Sequence, residues 1–138
     1  MKTIITLALL ITTFIMKAQV TSEGTTITVM VPIQSSKGSV LIGLYDSQEN
    51  FLKKPQQTVE GIIKNGKATA TFTNVLEGTY GITLFHDKNS NKQMDFEPNG
   101  MPKEPYGVSN NVMSFGPPQW ETAKFEVGKK ALELEIRM

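Results

Sequence analysis

The chain predicts an all-β fold, a single antiparallel β-sandwich of about seven strands, on three observations. Apolar residues recur at every second position, as in Ile27, Val29, Val31 and again in Val40, Ile42, Leu44. That is the period of a strand with one buried face. The periodic runs are short and bounded by turn residues, and none holds the 3.6-residue period of a long helix. Two sheets made of such strands bury their apolar faces against each other.

The elements follow in order. Lys2, the mostly apolar run Ile4 to Met16 and the small residue Ala18 read as a secretory signal peptide over residues 1–18, cut before Gln19. The run is short and carries Thr6, Thr12 and Thr13, which suits a cleaved leader better than a membrane span, and no later run is apolar enough to anchor the product. Residues 19–138 then make one domain. Its expected strands are Thr25 to Val31, Ser39 to Tyr45, Thr58 to Ile63, Lys67 to Thr73, Thr79 to His86, Trp120 to Val127 and Leu132 to Arg137. Asn65-Gly66 joins the third and fourth as a hairpin turn, since both positions of that turn favour left-handed backbone. Gly78 turns the chain into the strand that carries Tyr80, and Trp120, after Pro117-Pro118, anchors the start of the sixth strand in the core.

Composition narrows the function classes. Without cysteine there is no disulfide, thiol nucleophile, zinc-thiolate site or lipidated cysteine. A disulfide-free exported domain suits a bacterial periplasm or the medium. Loss of Lys2 and Lys17 with the leader leaves twelve basic residues against thirteen acidic ones, a net charge of −1. Lys53-Lys54 and Lys129-Lys130 are isolated pairs without interleaved aromatics, so no nucleic-acid footprint is present.

Asp87 to Gln119 breaks the strand rhythm, holding five of the seven prolines. It also carries Met94, Phe96, Met101, Tyr106, Val108, Val112, Met113 and Phe115, enough apolar material for one long ordered loop packed on the sheets. At its start, Asp87, Asn89, Asn91, Gln93 and Asp95 place oxygen donors at relative positions 1, 3, 5, 7 and 9. That is the spacing of a loop wrapped around Ca²⁺, with the Gln93 backbone carbonyl in the equatorial place. Position 6 is Lys92 instead of glycine and position 12 is Pro98 instead of a bidentate glutamate. Glu97 or Glu104 would have to supply the missing donor. The competing reading is a metal-free loop of Asx-turns.

Other chemistry is sparse. His86 is the one histidine, on the apolar face of a strand end; a general-base role there competes with a plain structural one. Ser109 and Ser114 lack a nucleophile-elbow motif. Glu104, Tyr106, Ser109, Asn110 and Asn111, with Trp120, are a candidate ligand surface for a sugar or peptide, against the alternative that Tyr106 is a lid and the asparagines close the loop's own backbone.

Taken together, Phe85-His-Asp87-Lys-Asn89-Ser-Asn91-Lys-Gln-Met-Asp95, then Pro102-Lys-Glu104-Pro-Tyr106-Gly107-Val-Ser109-Asn110-Asn111, then Gly116-Pro117-Pro118, resemble the bacterial domain-of-unknown-function family 2141. The similarity runs from about Thr25 to Arg137. It implies a small exported protein with an immunoglobulin-like or transthyretin-like sandwich, and no established enzymatic activity. The expectation is therefore a noncatalytic exported binding module with a calcium loop, acting on a protein or carbohydrate at the cell envelope. Two alternatives stand beside it: a metal-free accessory module that packs on a partner, and a hydrolase built on His86 and its acidic neighbours.

Overall fold

Inward-facing Ile27, Val29 and Val31 define the first strand, β1 (Thr25–Pro32), in a computed structural model that describes residues 24–112 and 116–138. The expected leader and Met113, Ser114 and Phe115 lie outside the described residues. Next come β2 (Ser39–Tyr45), β3 (Gln57–Lys64), β4 (Lys67–Val75) and β5 (Gly78–Asp87). The chain ends with β6 (Tyr106–Val108), a 3-10 turn (Ser109–Asn111), a helical turn α1 (Trp120–Ala123), β7 (Phe125–Val127) and β8 (Leu132–Glu135). Val40, Ile42 and Leu44 of β2, Phe72 of β4 and Tyr80, Ile82 and Leu84 of β5 join the β1 residues in one buried cluster. The alternation read from the sequence is thus the alternation of the core.

The strands pair in the order β6-β5-β2-β3-β4-β1-β8, with β7 beside the first residues of β5. Among the described residues the chain is mostly β with little helix, but its ladders form one curled mixed sheet, a half-barrel, where a purely antiparallel sandwich was expected. β1 and β8 run parallel, from Ile27 opposite Leu132 to Met30 opposite Glu135. Alternation fixes which face of a strand is buried and is silent on its direction and neighbours, so both architectures satisfy the same pattern. The Asn65-Gly66 turn forms as expected, with φ of 53° and 79°. Beyond it β3 and β4 pair only across Ile62–Lys64 and Lys67–Thr69 before they splay.

Two further expectations change. Trp120 begins a helical turn, and of the expected sixth strand only Phe125–Val127 pairs as a strand. The turn holds because side chains take its terminal carbonyls: Ser109 Oγ donates to the Ala123 oxygen, and Asn110 Nδ2 donates to those of Thr122 and Lys124 at 2.9 and 3.0 Å. Trp120 still packs, edge-on to Phe51 at 5.6 Å, in a second small cluster with Tyr45, Val108 and Ala123. The long loop contains the short strand β6, which pairs with Thr83–Phe85 of β5.

At the far seam, β6 and β8 are joined by a side chain. Asn111 Nδ2 donates to the Glu135 carbonyl at 2.9 Å, and its Oδ1 accepts from the Arg137 amide at 2.8 Å. One amide group thereby reproduces both bonds of a strand pair. Close approach at this seam requires Gly107, where a Cβ would stand 2.5 Å from the Arg137 carbonyl oxygen.

Candidate functional site

β5 delivers His86 and Asp87 fully buried at its end, paired with Val40 and Ser39 of β2. Gly38 makes room for this: its φ is 69°, and any Cβ there would overlap the Asp87 carbonyl. The chain then leaves the sheet, and the loop folds back on the Asp87 carboxylate. Oδ2 accepts from the Lys92 amide at 3.0 Å, whereas Oδ1 is buried and has no hydrogen-bond partner. Among the described residues it is the one buried side-chain oxygen or nitrogen left in that state.

The other predicted donors gather on the same loop. Asp95 accepts from Asn89 Nδ2 at 2.7 Å and from Asn91 Nδ2 at 2.9 and 3.0 Å. Each asparagine oxygen accepts from a backbone amide two residues on, Asn91 at 3.3 Å and Gln93 at 3.0 Å. These are Asx-turns, so the amides point their N–H groups at Asp95 and their oxygens at the loop backbone. A half-turn of an amide about its terminal torsion exchanges donor for acceptor, and that torsion is soft. Among the described residues no three acidic or histidine side chains converge as a ready metal cage. The candidate sphere is two carboxylates completed by amide and backbone oxygens.

Glu104, offered above as the extra donor, is buried and spans the loop's two ends. Its Oε2 accepts from the Lys88 amide at 2.8 Å and its Oε1 from the Asp95 amide at 3.3 Å. Glu97 is exposed, on a hairpin closed by the Lys103 amide donating to the Asp95 carbonyl. Lys92, the departure at position 6, has φ of 62°. The left-handed backbone that favours glycine at that position is present here with a lysine in it. Its ammonium reaches Glu60 on β3 at 2.6 Å, and Ser39 Oγ donates to the same oxygen at 2.7 Å. The sequence carries no local signal for that anchor, because Glu60 comes beside the loop only through β2–β3 pairing.

Hydrogen bonds set the electrostatics. The Asn89 amide first, and then Asn91, hold the Asp95 carboxyl below the usual aspartate range. Lys92 and, after it, Ser39 hold Glu60 below the usual glutamate range. The same amides that favour the ionised Asp95 carboxylate occupy both of its oxygens.

The second predicted group serves the fold. Tyr106 is half-buried against the Tyr45–Phe51 cluster, and Ser109 is buried, its Oγ accepting from the Ile82 amide at 3.0 Å. Asn110 and Asn111 spend their amides on the helical turn and the β6–β8 seam. The structure does not bring these four polar groups together around one open space. His86 sits 1% exposed, its Nε2 donating to the Lys37 carbonyl at 2.6 Å. Ser109, committed to Ala123 and Ile82, makes no hydrogen bond to it, and Ser114 lies outside the described residues.

No curated protein and no solved structure matches the chain. A family model does, over residues 27–135, from the first buried residue of β1 to the end of β8. The chain belongs to the family described as an uncharacterized protein conserved in bacteria (DUF2141).

Proposed function

We propose that this is an exported, noncatalytic β-domain that binds Ca²⁺ in its Asp87–Asp95 loop and acts as a binding module at the cell envelope. The observation that carries the reading is the buried Asp87 Oδ1 without a partner. An orphaned buried polar atom costs about 1–3 kcal/mol, more when charged, and a cation would relieve that cost. Oxygen donors, the left-handed Lys92 backbone and an ionised Asp95 support calcium over softer metals. Calorimetric titration of chelator-treated protein with Ca²⁺, and with Mg²⁺ as control, tests it. Saturable calcium-selective heat with a raised Tm is expected, and no heat with no shift would remove the reading.

A metal-free accessory module is the second reading, favoured by the Asx-turns that already close the loop. Equal protection of the loop from proteolysis with calcium and with chelator would select it. As to finer architecture, we read the two ends of the curled sheet as the facing layers of an immunoglobulin-like or transthyretin-like sandwich. The splay between β3 and β4 supports this, and an experimental structure in which they pair along their whole length would refute it.

A further inference from the structure

We propose that Glu60 sets the calcium affinity of the Asp87–Asp95 loop by holding the Lys92 ammonium away from the loop's carboxylates. The inference rests on the calcium reading above and adds a controlling residue outside the loop. Lys92 is built into the site by its backbone, whose amide donates to Asp87 Oδ2 at 3.0 Å. Its side chain leaves the site. The ammonium pairs with Glu60 on β3 at 2.6 Å and, among the described residues, forms no ion pair with Asp87 or Asp95. Strand pairing fixes the other half of the clasp. Ser39 of β2 stands opposite Asp87 on one side and opposite Ile62, two residues from Glu60, on the other, and its Oγ donates to Glu60 Oε1 at 2.7 Å. The calcium loop and the residue that holds its lysine therefore meet at one position of β2.

Backbone strain argues that this lysine is placed for its side chain. Lys92 keeps a left-handed φ of 62°, a conformation that is costly for a residue with a Cβ and nearly free for glycine. The bond to Glu60 offsets little of that cost, since the two side chains are 53% and 40% exposed and an ion pair so open to solvent stabilises a fold weakly. What the pair does control is where a positive charge sits. Asp87 lies against the Lys92 backbone, within reach of a four-carbon stem, and its buried Oδ1 has no partner. Freed from Glu60, the ammonium is a tethered cation beside that carboxylate. It then opposes calcium, whether by pairing with Asp87 or by repelling the ion.

Calorimetric titration of the chelator-treated protein with Ca²⁺ tests this as a cycle of Glu60→Gln, Lys92→Met and the two combined. Position 92 keeps a Cβ throughout, and Lys88, Lys103, Glu97 and Glu104 stay in place. Glu60→Gln alone should raise Kd about fivefold, the effect of one unit charge on a divalent ion across several ångströms of a water-like medium. Lys92→Met should bind calcium at least as tightly as wild type, and adding Glu60→Gln to it should change nothing further. Ser39→Ala keeps both charges and removes one bond to Glu60, so it should raise Kd by less, and only while Lys92 is present; it carries the test if Glu60→Gln fails to fold. An unchanged Kd in Glu60→Gln, or weaker binding by Lys92→Met, overturns the inference. So does an equal effect of Glu60→Gln with and without Lys92, which would mean that the glutamate acts on calcium through its own charge. If the wild-type protein gives no calcium heat, the calcium reading itself falls and this inference with it.

Discussion

Asp87→Ala separates a metal site from a scaffold, because the two readings predict different stability in calcium and the same stability without it. In chelator the substitution removes the bond from the Lys92 amide to Oδ2, a loss of about 1.5–3 kcal/mol for a charged acceptor. It also removes the orphaned Oδ1, whose burial costs about 1–3 kcal/mol. The two nearly cancel, so the metal-free Tm should move little. With free calcium about a hundredfold above Kd, the wild-type domain gains about 2.7 kcal/mol that the variant cannot recover. For a domain of this size, at about 4 °C per kcal/mol, the gap is about 10 °C. Differential scanning calorimetry of both proteins in both buffers reads it directly. Equal losses of Tm in calcium and in chelator would show that Asp87 serves the fold alone.

Lys92→Gly should be more stable than Lys92→Ala by about 1 kcal/mol in urea denaturation, because alanine keeps the left-handed strain and both variants lose the Glu60 bridge; the opposite order would refute strain at this position. Asn111→Ala removes both bonds across the β6–β8 seam and should cost about 2 kcal/mol, with faster hydrogen exchange at the Arg137 amide. Acid should weaken the metal-free loop in a defined window: the folded Asp95 carboxyl sits below its unfolded value, so its contribution is complete above that value and is lost as pH falls below about 4. Asp95→Asn should flatten this part of the acid titration, and an unchanged profile would place the sensitivity elsewhere.

The strands that make the core were legible because each alternates over three or more apolar positions, as Ile27, Val29 and Val31 do on β1. β6 was not, since Tyr106–Val108 is too short to show a period and lies just after Pro105. Nor was α1: its carbonyls are taken by Ser109 and Asn110 across a gap of a dozen residues, a tertiary effect that overrides local strand preference. In the loop, Asn89 and Asn91 meet Asp95 through their side-chain amides, whereas Asp87 accepts from the Lys92 backbone amide. Which end of each amide faces inward depends on backbone N–H groups that no residue pattern encodes. The Ser109-Asn110-Asn111 run shows the reverse case, where chemistry suited to a ligand is consumed in tying three segments together.

The parallel pairing of β1 with β8 has a kinetic meaning. It joins the first and last of the described strands, so a large sequence separation must be closed before that edge gains a neighbour. Synthesis delivers β1 first and β8 last. Until Leu132–Glu135 arrive, the outer edge of β1 stays an open template, and a truncated or still-threading chain can find a wrong partner there. Folding of this domain should accordingly be slow, and complete only after β8 is present.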